Sequence, residues 1–225
     1  MHIKKSYPYY NPGTASYYYD GMEKPNHGVT VVGWNDTYDR NQFVSTPPMD
    51  GAWIIKNSWG TDFGDGGYFY LSYCDSAMGA RNTVFTGEDA GNYDAVYQHD
   101  PLGWVNSFGT RSETGWFATV FTADSDEEIR AVSLYTAQYN SPYKLYIYLD
   151  PIAGPINASG PVAFQTGTIA DAGYNTIPLK NPVNLSAGQK FSVVMSLTTP
   201  GYEYPIPVEY PEIGYSSKAT AGPDE

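Results

Sequence analysis

The chain has 225 residues, 41% of them hydrophobic, enough for a real core in one large domain or two small ones. Lys and Arg total 12 against 24 Asp and Glu, a formal net charge of −12 that repels phosphate backbones and anionic lipid surfaces and argues against nucleic acid as a partner. A single cysteine, Cys74, excludes an intramolecular disulfide framework and any multi-cysteine metal site.

Tyrosine is the outlier at 22 residues, and with 23 Gly and 17 Pro it favours short strands and turns over long helices, so the chain reads as mainly β. No apolar run approaches the ~20 residues that span a bilayer, and the opening residues lack the apolar core of a signal peptide.

Residues 1–26 read as extended segments broken by Pro8, Pro12, Gly13 and Gly21. Three strands follow, "HGVTVVGW" (27–34), "GAWIIKNSW" (51–59) and "GYFYLSY" (67–73), each rich in β-branched or aromatic residues and bounded by turn formers. The polar stretch between the first two, with Pro47 and Pro48, reads as a surface insertion. Its segment Asn35 to Asn41 offers oxygen ligands at alternate positions but lacks the Gly and terminal Glu of a calcium loop, which favours a solvated turn. The glycines of "GTDFGDGGY" follow a strand without opening a helix and read as a turn, not a phosphate cradle.

Residues 79–92 carry no sustained period. The expected division is a first domain over 1–90 and a second over 91–225. Strands in the second are expected at 115–123, 127–137, 143–150, 175–180 and 189–197. In the third, Leu145, Ile147 and Leu149 alternate with Tyr146 and Tyr148, the period of two of a sheet buried on one face. Short strands separated by Gly, Pro and Asn turns argue for a β-sandwich.

His27 is expected to open the first strand, flanked by Asn26 and Gly28. A histidine acting as general base needs its second ring nitrogen held by a fixed acceptor, which sets the tautomer. Asn57 can supply that acceptor if the first two strands are antiparallel neighbours, because the start of one then lies beside the end of the other. Trp59 is expected to shield the His–Asn hydrogen bond from water.

"NHGVTVVGW" and "WIIKNSWGTDFGDGGYFYLSY", in this order, resemble the C-terminal half of the papain-like cysteine peptidases. The resemblance implies an antiparallel β half of a papain-like fold and a Cys-His-Asn mechanism acting on peptide or protein substrates. It makes His27 the base and Asn57 its orienter, with Asn26 and Trp59 in support, and calls for no cofactor and no metal. The family's nucleophilic cysteine and oxyanion-hole glutamine precede the histidine on a helix, whereas the 26 residues before His27 contain neither residue. Nothing near Cys74 suggests activation, so it reads as a structural thiol, and the chain is expected to be inactive alone. It is read as truncated at both ends, with the tail "SSKATAGPDE" adding no strand, and the peptidase's other half is a candidate partner.

From about residue 93 the order "GWFATVFTA", "YKLYIYLD", "LSAGQKFSVVMSL" resembles the lectin-like (jelly-roll) β-sandwich that follows the papain-like domain in some bacterial and archaeal surface peptidases. That implies a secreted or cell-surface protein, with a glycan as a candidate ligand and Trp104, Trp116, Tyr139 and Tyr143 as candidate stacking residues. Two alternatives stand beside the peptidase: a non-catalytic binding module carrying a degenerate peptidase half, and a split enzyme whose nucleophile arrives on another chain.

Overall fold

The computed structural model describes residues 8–211, apart from 81 and 101, together with 213, 214 and 217. Within these, secondary structure is β apart from one 3-10 turn, Arg40–Gln42. The tail expected to add no strand lies, apart from Ser217, outside the described residues. The chain divides into two compact units, Met1–Thr86 and Gly87–Glu225.

The first unit is a five-stranded sheet built from β1 (Tyr10–Asn11), β2 (Ser16–Tyr17), β3 (Thr30–Asn35), β4 (Ala52–Lys56) and β5 (Tyr68–Ser72), in the order β1-β2-β5-β4-β3. Its central pairs are antiparallel, with β4 opposing β5 through Ala52↔Ser72 to Lys56↔Tyr68 and β3 opposing β4 through Thr30↔Lys56 to Asn35↔Ala52. Period-two alternation splits the apolar residues between two faces. Tyr17, Ile55, Phe69 and Leu71 pack with Tyr19 on one face, and Ala52 packs with Tyr18 and Phe43 on the other.

Three expectations are corrected here. Strand β3 begins at Thr30, so His27 precedes the strand instead of opening it. Strand β4 ends at Lys56, so Asn57 lies just beyond it. The polar insertion is anchored, because Phe43 and Pro47 are buried and give the loop an apolar foot.

Loop oxygens in the insertion are taken up locally. Asn35 Oδ1 accepts from the Thr37 amide, Asp39 Oδ1 from the Asn41 amide, and Asp36 from the Tyr73 hydroxyl. Asp75, 6% exposed, ties the early segment to the end of the sheet by accepting from the Tyr19 and Ala77 amides. Burial raises its carboxyl above the ordinary value, with the two amide bonds opposing that rise.

The second unit holds β6 (Asn106–Phe108), β7 (Thr114–Thr122), β8 (Glu127–Thr136), β9 (Ser141–Leu149), β10 (Ala163–Ile169), β11 (Gly173–Leu185), β12 (Lys190–Thr198) and β13 (Ile206–Val208). They form a four-stranded sheet, β10-β9-β12-β7, and two strand pairs, β11-β8 and β13-β6. Tyr143, Leu145 and Ile147 of β9 and Met195 and Leu197 of β12 enter one core with Leu134, Ile177 and Leu185. The alternation read in β9 is therefore the alternation of a sandwich strand.

Strand β11 runs well past the expected 175–180, through Pro178 and Pro182, because a register shift between Pro178 and Val183 absorbs them, as bulges do.

Candidate active site

Pairing of Thr30 with Lys56 closes the β3–β4 ladder, and the segments just outside it carry His27 and Asn57. Continued past its last pair, an antiparallel ladder keeps its two strands side by side, which brings residues 30 positions apart into contact. His27 Nε2 and Asn57 Oδ1 are 2.9 Å apart. The Asn57 oxygen also accepts from the Ser58 amide at 2.9 Å, which holds the side chain in one rotamer. The Asn57 backbone is fixed by its N–H donating to Gly67 O at 3.0 Å.

Asn57 is 7% exposed, and its Nδ2 is buried without a hydrogen-bond partner among the described residues. A buried unsatisfied donor is uncommon and marks a specialised position.

Trp59 lies over the pair. Its ring is 5.0 Å from the His27 ring, tilted by 33°, while 50% of the residue remains exposed. Phe63 packs edge-on against Trp59 at 4.9 Å, stacks on Tyr10 at 5.2 Å, and meets the core ring Phe69 at 5.7 Å. Trp59 is thus clamped between the imidazole and an aromatic chain leading into the core. Sequence reading missed Phe63; its spacing four residues after Trp59, within one glycine-rich turn, was the available signal. Asn26 is exposed beside His27.

That turn needs glycine at a specific place. Gly64 has φ +61°, and a Cβ there would stand 2.2 Å from Tyr68 O, so the chain reverses where no side chain fits.

The arrangement suits a base with a fixed tautomer. An imidazole that donates Nε2–H to a carbonyl oxygen carries its acceptor lone pair on Nδ1. Cys74 is elsewhere: partly buried, it packs against the cluster of Tyr18, Phe43 and Ala52. Ala52 and Lys56 lie at opposite ends of β4, separated by roughly 13 Å at the rise of a strand, and Asn57 follows Lys56. Among the described residues, no group of three or more His, Cys, Asp or Glu is placed to hold a metal ion.

Of the candidate stacking aromatics, Trp104, Trp116 and Tyr139 are exposed. Tyr143 is corrected: it is 8% exposed, points into the sandwich core, and its hydroxyl accepts from Gln165 Nε2 at 3.0 Å. It lies on the inward side of β9, opposite Gly167, where a Cβ would stand 2.7 Å from its ring.

In the first unit a histidine and an asparagine meet under a tryptophan at the end of an antiparallel ladder, and the second unit is a β-sandwich. The chain belongs to the lectin like domain family, whose model matches residues 96–225, and residues 1–87 match the model of the papain family cysteine proteases.

Curated relatives include cysteine endopeptidase Rep1 of Oryza sativa subsp. japonica, 44% identical over 46 residues, which are 20% of this chain and 10% of that protein. Cathepsin B-like CP3 of Giardia intestinalis is 31% identical over 85 residues, 38% of this chain and 25% of that protein. The chain therefore spans between a tenth and a quarter of the length of these two relatives.

Among solved structures, the clostridial cysteine protease Cwp84 after propeptide cleavage aligns with a TM-score of 0.65 at 24% identity, over 96% of this chain and 54% of that one. The cysteine protease and lectin-like domains of Cwp84, described as a surface layer associated protein of Clostridium difficile, align with a TM-score of 0.62 at 25% identity, over 92% and 46%.

Proposed function

We propose that the first unit is the His/Asn side of a thiol peptidase site and that its nucleophile comes from outside these 225 residues. The observation that carries the reading is the 2.9 Å contact of His27 Nε2 with Asn57 Oδ1 beneath Trp59. In the reaction, a cysteine thiolate adds to the peptide carbonyl and the tetrahedral intermediate collapses to a thioester. The amine leaves with a proton from His27, and His27 then takes a proton from the water that hydrolyses the thioester. Asn57 holds the imidazole in the tautomer whose Nδ1 does this work, and Asn26 and Trp59 support the pair. Substrates are peptides or proteins.

The position of Cys74 near Ala52, away from Asn57, supports inactivity of the chain alone. Incubating the isolated chain with a thiol-directed peptidase probe tests this. No labelling that depends on His27 is expected, and His27-dependent labelling of Cys74 would overturn it. Surface localisation is proposed from the description of Cwp84 as surface layer associated.

A second reading concerns the sandwich. Exposed aromatic side chains such as Trp104 and Tyr174 favour a saccharide-binding role for the second unit, whether or not the first takes part in catalysis.

A further inference from the structure

Strand β7 hydrogen-bonds to β12 and strand β8 to β11, so these two strands, consecutive in sequence, turn their other edges toward solvent or a loop. The space beside them is a cleft of about 1330 Å³ lined by β7, β8, residues 91–98, 100 and 102–104, and β13. Its base is the apolar core at Phe117, Leu134 and Met195.

One wall is aromatic. Tyr135 and Tyr174 face each other in register on β8 and β11, rings 4.8 Å apart and tilted by 53°. Trp104 adjoins Tyr135 at 6.1 Å and 47°, its indole N–H donating to Ser107 Oγ at 2.9 Å. The chain comes close to Tyr135 just before Trp104, at Gly103, where φ is +64° and a Cβ would stand 2.8 Å from the Tyr135 hydroxyl. Trp104 is 37% and Tyr174 59% exposed, so this ring wall is built and remains open.

The lining is also acidic, with six carboxylates against one guanidinium, Arg130. Three carboxylates are engaged locally, Asp126 with the Ala187 amide, Glu127 with the Tyr97 hydroxyl and Glu128 with Arg130. Glu209 is different: its Oε2 accepts from the Leu102 amide at 2.7 Å, while its Oε1 is buried without a hydrogen-bond partner among the described residues. A carboxylate beside aromatic faces attracts ammonium groups through charge and through the ring quadrupole, and the same faces stack on the C–H side of a pyranose.

A second aromatic row, Trp116–Tyr146–Phe164, has ring centroids 5.9 and 4.8 Å apart, at interplanar angles of 26° and 31°. That row lies outside the cleft, away from the carboxylates that line it.

We propose that this cleft binds a saccharide bearing free amino groups, with Trp104 and Tyr174 as stacking faces and Glu209 as the ammonium partner. The proposal rests on the reading of the second unit as a saccharide-binding module and narrows it. Calorimetric titration of the full chain with short oligomers of glucosamine, of N-acetylglucosamine and of lysine tests it.

The glucosamine oligomer is expected to bind, with affinity reduced about tenfold or more by Trp104→Ala and by Tyr174→Ala, retained in Trp104→Phe, and unchanged by Trp116→Ala. Tyr174 is exposed enough that its truncation leaves the fold intact, which unchanged near-UV circular dichroism verifies. Equal binding of the N-acetylated oligomer would overturn the narrowing while leaving the saccharide reading standing. No binding of either sugar would overturn both. Equal binding of the lysine oligomer, sensitive to the same variants, would overturn the saccharide assignment in favour of a cationic peptide.

Discussion

His27 and Asn57 lie 30 positions apart and meet at 2.9 Å, imidazole Nε2 to amide Oδ1, because the β3–β4 ladder ends between them at Thr30 and Lys56. The same oxygen accepts the Ser58 amide, so the asparagine is held from its own backbone and aims at the ring.

The first prediction concerns the tautomer. Neutral His27 is expected to carry its proton on Nε2, with Nδ1 as the acceptor nitrogen. Nitrogen-15 NMR of the ring reads this directly. Asn57→Ala is expected to give a mixture of tautomers, and Asn57→Asp to keep the Nε2–H form.

Trp59 supplies a second. Its indole covers the His27 ring at 5.0 Å and is braced by Phe63, so Trp59→Ala is expected to speed hydrogen exchange at His27 Nε2 by about tenfold. Phe63→Ala is expected to act in the same direction but more weakly, because it only loosens the brace. A Phe63→Ala effect larger than that of Trp59→Ala would contradict this order.

How much of this could be read from the sequence depended on how each element advertises its buried face. β9 carries apolar residues at alternate positions, and its inward side was evident, while β4 and β5 were legible as strands from their β-branched and aromatic residues. β10 was missed because its polarity is inverted: Gln165 is buried and Phe164 is 58% exposed. Gln165 is satisfied by the Tyr143 hydroxyl, Pro178 O and the Lys180 amide, partners that no local pattern announces. β6 and β13, three residues each, are too short to show a period. Tyr143 was misjudged as a stacking residue for a related reason, since tyrosines alternate between both faces of these strands and composition alone does not sort them. The His–Asn pair was legible because two motifs and one antiparallel pairing sufficed. The aromatic brace and the cleft beside β7 and β8 were not, since both depend on long-range packing.

Two glycines in one turn give a contrast. Gly64→Ala drives a Cβ against Tyr68 O at 2.2 Å and is expected to destabilise the first unit by about 2–4 kcal/mol. Gly66 has nearly the same φ, +60°, with nothing within 4 Å of a Cβ, so Gly66→Ala is expected to cost only about 1 kcal/mol of left-handed strain. Denaturant unfolding of the two variants distinguishes steric overlap from backbone strain.

Asp75 gives a pH dependence. Its folded carboxyl titrates above the ordinary value of 3.8, because burial disfavours the charge more than the Tyr19 and Ala77 amides favour it. The neutral acid is thus the better-tolerated form in the fold. Its contribution to stability is fully present below 3.8 and is lost as pH rises through the raised folded value. Stability of the first unit is expected to fall across that window on raising pH. Asp75→Asn, which cannot ionise, is expected to remove this component of the slope, as unfolding midpoints at stepped pH would show.

The central claim, that His27 and Asn57 are two members of a triad completed from outside these residues, is tested most directly by joining the chain to a papain-family segment that carries the nucleophilic cysteine and measuring peptide hydrolysis. Hydrolysis is expected in the joined protein and lost in His27→Ala. Asn57→Ala is expected to lower kcat/KM by about 10²-fold or more, and Cys74→Ser to leave it unchanged. Hydrolysis that persists in His27→Ala, or that disappears in Cys74→Ser while the fold is retained, would contradict the account.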